Sequence, residues 1–152
     1  FPYTTLFRSV TPELFNATQA QAQESIEPHY NYDGYTAYQS GFILDKNFKE
    51  SLKHDNFTIN GYQISKNPTG DNRINLYDQT LYGVSENKAN GVFFSLDGKS
   101  INKNTLIQNY GQPNSYSPTS AWGEEYMYKI GNKDVRFYIY NGYVIKCQII
   151  SE

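Results

Sequence analysis

Cysteine, histidine, positive charge and long apolar runs are all scarce in this chain. Its single cysteine among 152 residues, Cys147, excludes an intrachain disulfide and any multi-cysteine metal site. Its two histidines, His29 and His54, lie far apart and in no metal-ligand spacing. Lys and Arg total 13 against 15 Asp and Glu, a net charge of −2 and a pI near 5.7, which argues against an overall basic nucleic-acid binder. No stretch approaches the ~18 consecutive apolar residues of a membrane span, so no membrane insertion is expected. Glycine-rich phosphate loops, dinucleotide fingerprints and the spaced oxygen ligands of a calcium loop are also missing.

Aromatics make up for the modest hydrophobic fraction of 38%. Fifteen tyrosines and nine phenylalanines bring them to 16% of the chain. Each ring buries a large area, so few apolar residues can still build a core. At this length a single domain is expected.

The first 22 residues read differently from the rest. Residues 1–9, FPYTTLFRS, look like the translation of a sequencing-adapter oligonucleotide. Residues 10–22 end in Ala20-Gln21-Ala22, the small-x-small pattern of a signal-peptidase site, and read as a truncated signal-peptide remnant. The expected domain is 23–152. Without Arg8 and Glu13 its charge balance remains −2.

Two similar units are expected within that domain, at about 42–97 and 98–150. The first opens on a helix over 45–54, with Asp45 as N-cap and Leu44, Phe48 and Leu52 forming one apolar stripe. Strands are expected at 57–65, 73–83 and 91–96, with a polar loop at 85–90. The second unit opens on a helix capped by Asn102. Ile101 and Leu106 have hydrophobic-staple spacing, and Gly111 and Pro113 end the helix. Strands at 124–130, 133–140 and 143–150 follow, separated by the two-residue turns Gly131-Asn132 and Asn141-Gly142. The expected fold is therefore α+β: two tandem helix-plus-antiparallel-meander units forming one sheet, with helices on one face and an open opposite face.

Strand alternation assigns the faces. Val135, Phe137, Ile139, Tyr143, Ile145, Cys147 and Ile149 are expected under the helices. Arg136, Tyr138, Tyr140, Lys146 and Gln148 are expected on the open face. That face reads equally as a solvated surface with cross-strand tyrosine pairs or as a recognition surface. Catalysis finds no support. Cys147 lies between Ile145 and Ile149 on the apolar face, and Glu124 and Glu125 point to opposite sides. Neither histidine sits between a nucleophile and an acid. No cofactor and no metal are expected.

Residues 28–48, PHYNYDGYTAYQSGFILDKNF, resemble the immunodominant staphylococcal antigen B family. The aromatic-rich start and the run Phe42-Ile-Leu-Asp-Lys-Asn-Phe48 carry the likeness. Asn60-Gly61, Tyr77-Asp-Gln-Thr80, Gly83-Val-Ser85 and Tyr110-Gly111 continue it, and Gln-Ala-Gln-Ala at 19–22 precedes it. The resemblance implies a secreted or cell-surface-associated protein of a Gram-positive bacterium, without known catalysis. It implies an antigen that binds DNA or RNA with little sequence preference. This chain departs from the family's strongly basic member in being net acidic, so such binding should be weak and salt-sensitive unless its cations cluster. The second unit also resembles, in its element order, BamE-like and β-lactamase-inhibitor-protein-like modules. The alternative is therefore a protein–protein or inhibitor-type module that engages a host or cell-surface protein. Under either reading the candidate binding residues are Tyr30, Tyr32, Tyr35, Lys129, Arg136, Tyr138, Tyr140 and Lys146. Lys133 could join their cations.

Overall fold

Tight turns divide this chain more finely than its hydrophobic runs indicate. The computed structural model describes residues 27–152, so the expected adapter segment, signal remnant and start near Gln23 lie outside the described residues. Among the described residues, ten strands and two α-helices follow in order. They are β1 (Tyr30–Tyr32), a 3-10 turn (Ser40–Leu44), α1 (Lys46–Lys53), β2 (Phe57–Ile59), β3 (Tyr62–Ile64), β4 (Asn72–Leu76) and β5 (Gln79–Ser85). Next come β6 (Lys88–Ser95), α2 (Lys103–Tyr110), β7 (Ser115–Ser117), β8 (Glu124–Ile130), β9 (Lys133–Tyr140) and β10 (Tyr143–Ser151).

Both helices begin as their caps require. The Asp45 carboxylate accepts from the Asn47 amide at 2.7 Å, and the Asn102 side chain accepts from the Thr105 amide at 2.8 Å. Gly111 ends α2 at φ 84°, a conformation that costs glycine little.

The expected strand 57–65 is instead the hairpin β2–β3. Asn60 and Gly61 both take positive φ, 50° and 87°, as a two-residue hairpin turn demands. The expected strand 73–83 likewise folds back at Tyr77, and the polar loop at 85–90 is the tight β5–β6 turn at Glu86. Tyr77 and Glu86 lack the Asn-Gly signature yet reach φ 57° and 52°.

The architecture is a mixed α/β arrangement around one ten-stranded sheet. The second unit holds the expected antiparallel meander, β8-β9-β10, and adds the unexpected short strand β7 at the edge beside β8. The first unit departs from a simple meander. β1 pairs with β2 in parallel, and β3 pairs with β6 in parallel. β6 is the branch point. One edge pairs with β5 along its length, and the other pairs first with β3 and then with β10.

Asn90 sits between those two pairings. Its side-chain amide donates to the Asn67 carbonyl at 2.9 Å and accepts from the Asn67 amide, so it stands in for a strand at the fork. Asn67, only 7% exposed, donates in turn to the Gly83 carbonyl at 3.1 Å. A Cβ on Gly83 would lie 2.3 Å from the Asn90 amide nitrogen, so a side chain there is excluded.

One apolar cluster runs through both units and includes Phe48 and Leu52 of α1, Leu106 of α2, and Phe94, Phe137 and Cys147 of the sheet. The β9–β10 ladder slips between Tyr138 and Ile139, because Ile145 is an extra residue opposite them. Beyond that bulge the faces exchange. Val144 is buried, Ile145 only half-buried and Tyr143 exposed, which corrects the expected core positions of Tyr143 and Ile145. A carboxylate at Val144 enters the core without a partner. Val144→Asp is therefore expected to abolish cooperative unfolding, a loss above about 4 kcal/mol. Ile145→Asp should keep a cooperative transition at lower temperature. Circular-dichroism melts of the two variants read the difference, and the reverse ranking would contradict the bulge.

Candidate functional site

On the open face of the sheet Arg136 and Lys129 are already ion-paired. Register places Arg136 beside Gln148 on one side and Met127 on the other. Its guanidinium reaches Glu125 at 3.5 Å and Asp134 at 3.9 Å. Lys129 holds Asp134 at 2.8 Å and Glu152 at 3.8 Å. Burial works against charge on Asp134, yet its bonds to Lys129 and Glu152 and the nearby Arg136 hold the carboxyl below its ordinary value. The bond to Asp134 raises Lys129. Lys133 is buried and donates to Asp55 and, at 2.7 Å, to Asn132. It fastens the β8–β9 turn to the end of α1 and is no surface cation.

Lys146 lies in an aromatic nest. Its ammonium is 5.3 Å from the Phe93 ring centre, 5.1 Å from that of Trp122, and 2.9 Å from the Ser95 hydroxyl. Tyr138, expected to be open, is 7% exposed and packs edge-on to Phe93 at 6.0 Å. Burial pushes its hydroxyl up to about 12. Tyr140, at 59% exposure, stands free at the β9–β10 hairpin end. The face is thus partly roofed by the Trp122 loop, for which the sequence offered no local signal. Next to that roof, Tyr82, Asn90, Gly91, Gln148 and Ile150 line a shallow hollow of about 310 Å³.

The tyrosine-rich N-terminal segment divides as well. Tyr30 is half-buried against Phe42, Phe48 and Phe57, and Tyr32 is buried, its hydroxyl donating to the Tyr35 carbonyl at 2.6 Å. Both belong to the core and correct their expected exposure. Tyr35 reaches solvent.

A second hollow lies on the helical face, where α1 meets the end of α2 and the end of β8. It encloses about 480 Å³. Lys46, Lys49 and Lys53 line it from one side of α1, at i, i+3 and i+7, and Lys129 borders it from β8 with its ammonium held by Asp134 and Glu152 on the sheet's other side. Among its lining residues Glu50 is the single acid. Tight contacts hold the walls together. Lys49 donates to the Asn109 carbonyl at 3.0 Å, the Asn109 amide donates to the Leu44 carbonyl at 3.2 Å, and the Tyr110 hydroxyl donates to the Ile43 carbonyl. Lys49 also lies 5.0 Å from the Tyr110 ring centre, and burial, with Lys53 nearby, lowers its ammonium from the ordinary 10.5. Lys53 pairs with Glu50 at 3.2 Å. Lys46 has no ionic partner among the described residues. Burial pushes the Tyr128 hydroxyl, which donates to the Gly111 carbonyl at 2.8 Å, up to about 12.

Of the residues singled out from sequence, Lys129 alone lines this cleft. The α1 lysines were visible as the polar side of an amphipathic helix. Their convergence with β8 was not, because it depends on how α1 and α2 meet. For nucleophilic chemistry the described residues offer little: Cys147 is fully buried, and burial raises its thiol well above the usual value. Among them no three His, Cys, Asp or Glu side chains gather as a metal site would need. No helix among them is long and apolar enough to cross a membrane.

Comparison with known proteins adds a family. The model of the family described as immunodominant staphylococcal antigen B matches residues 29–149. Proteins of that name from Staphylococcus aureus strains USA300 and NCTC 8325 / PS 47 are 46% identical over 68 residues. That match covers 45% of this chain and 38% of each relative's length. Among solved structures, a DUF4309 family protein from Bacillus subtilis is similar over 60% of this chain and 73% of its own, with 15% identity and a TM-score of 0.43.

Lys146 and the only tryptophan give the roofed sheet face an optical reporter. Lys146→Met removes the cation between the rings, at a cost of about 1 kcal/mol. It is expected to make Trp122 fluorescence more quenchable by acrylamide. Unchanged quenching would show that the ammonium does not hold the loop down.

Proposed function

The chain belongs to the immunodominant staphylococcal antigen B family, and from that premise we propose that it is a non-catalytic, extracellular binding protein. Its ligand on this reading is a polyanion, nucleic acid foremost, held without sequence preference in the lysine cleft between the helices. The observation that carries the reading is the gathering of Lys46, Lys49 and Lys53 around one hollow in a chain of net charge −2. Affinity for phosphodiesters comes chiefly from lysine and arginine displacing condensed counterions, so local density of cations matters more than the total. Arg136 and Lys129, whose cationic groups each face two carboxylates, are poor phosphate ligands by comparison.

The cleft also sets the form of ligand. Its rings, Tyr110 and Tyr128, are turned inward, with hydroxyls on the Ile43 and Gly111 carbonyls. Bases find few faces to stack on there, and the contact is to the backbone. Sequence tolerance follows, because phosphates carry no sequence information.

A salt titration with labelled single-stranded DNA tests this. At most the three α1 lysines contact phosphate. The log–log salt slope is therefore expected to be no steeper than about −2, with micromolar binding at low salt. Lys46→Glu with Lys53→Glu should abolish binding and leave the fold intact, since both side chains are on the surface of α1. Arg136→Glu should change affinity by less than about threefold. Loss of binding in Arg136→Glu, with retention in the α1 double variant, would move the site to the open sheet face. Absence of binding even at low salt would favour a protein ligand.

A further inference from the structure

Outside the lysine cleft, three tyrosine rings pack against one another in solvent. Tyr35 lies 5.0 Å from Tyr38, their planes tilted by 30°, and 5.0 Å from Tyr77, which it meets edge-on at 79°. Their exposures are 42%, 80% and 54%, so the rings touch each other and present most of their outer faces to water. None of the three hydroxyls has a hydrogen-bond partner among the described residues, whereas the hydroxyls of Tyr32, Tyr110, Tyr116 and Tyr128 do.

The loop beneath is held rigidly. The Asp78 carboxylate accepts from the amides of Thr36 and Ala37, each at 3.0 Å, and from the Gln79 side chain at 2.7 Å. Gln79 also donates to the Gly34 carbonyl at 2.9 Å, and Asn60 accepts from the Gly34 amide at 2.7 Å. Thr36, wholly buried, donates its hydroxyl to the Ser95 carbonyl at 2.7 Å and so ties the loop to the sheet. Tyr77 completes the cluster with a left-handed backbone, φ 57°, which a bulky residue adopts at a cost. A fixed scaffold that displays exposed rings, with strain at one of them, is a preorganised recognition surface.

Charge narrows the ligand. The cation–ring contacts among the described residues lie at Tyr110, Tyr82, Phe93 and Trp122, and none involves these three rings. The nearest ionisable groups in the loop sequence, Asp33 and Asp78, are acids. A phosphate would find no cation over these rings. A neutral sugar ring suits the surface: its slightly positive C–H face packs on the negative face of a phenol ring, and its hydroxyls exchange hydrogen bonds with the free phenols.

We propose that Tyr35, Tyr38 and Tyr77 form a stacking platform for uncharged pyranose units of a glycan. The platform is independent of the lysine cleft, and either can fail without the other. The test is saturation-transfer NMR and ring chemical-shift titration with neutral tetrasaccharides of the glucose, galactose, mannose and N-acetylglucosamine series. Transfer to the sugar C–H protons from the tyrosine rings is expected, with a millimolar dissociation constant for at least one series. Tyr38→Ala should weaken binding about fivefold or more, and Tyr38→Phe, which retains the stacking face, should weaken it less. Tyr38 is the most exposed of the three, so both variants should melt with the parent. No transfer from any series at about 10 mM overturns the proposal, since such affinity would lie below that of specific recognition. The proposal fails equally if Tyr38→Ala reduces binding of oligothymidylate and leaves sugar binding unchanged, which would make the platform a base-stacking surface.

Discussion

The fork in the sheet at Asn90 is the constraint on which the rest of this fold depends. A strand edge offers one row of hydrogen-bonding groups, yet the second edge of β6 serves two partners, β3 in parallel and β10 antiparallel. Where two strands diverge, buried backbone groups would be left unpaired. The Asn90 amide closes the gap by bonding both backbone groups of Asn67, and Asn67 passes the connection to Gly83 in β5. All three residues are fixed by that contact: a shorter side chain at 90 would not reach, and any side chain at 83 would collide. Through the fork the N-terminal hairpin and the C-terminal meander share one sheet and one core.

Once the sheet is joined in this way, electrostatics divide its two sides. On the open side, acids alternate with bases along β8 and β9, and the ion pairs of Arg136 and Lys129 follow from register alone. On the helical side, α1 projects three lysines with one glutamate among them into a recess closed by α2 and the end of β8. The buried Lys133 ammonium bonds the partly exposed Asp55 carboxylate and so ties the end of α1 to the β8–β9 turn beside the cleft. A mildly acidic protein can therefore present one locally basic recess.

The second unit was legible in the sequence because local signals there agree. Asn102 and Gly111 bracket α2, Asn141-Gly142 makes a hairpin, and the strands of β8 and β9 have the expected bounds. The Ile145 bulge was not legible, since one extra residue in a run of alternating side chains leaves no trace until the partner strand is known. In the first unit the Asn60-Gly61 signal was present, but the apolar run across it reads as one strand. The turns at Tyr77 and Glu86 place bulky or charged residues at positive φ, against local preference, and tertiary bonds such as those of Asp78 hold that region. The same long-range dependence hid the candidate sites. Tyr35 and Tyr38 are close in sequence, but Tyr77 joins them only through the β4–β5 turn. Lys146 read as a free cation because Trp122, which covers it, comes from a loop more than twenty residues away in sequence.

The lysine cleft as the seat of polyanion binding is tested most directly by mapping where a ligand touches. Backbone and side-chain NMR shifts of the isotopically labelled protein would be followed during titration with a short oligothymidylate at low salt. The shifts are expected to concentrate at Lys46, Lys49, Lys53, Asn109, Asn114 and Lys129, the residues of the recess between α1, α2 and β8. Shifts concentrated instead at Phe93, Trp122, Lys146 and Gln148 would contradict it, placing the ligand on the open face of the sheet.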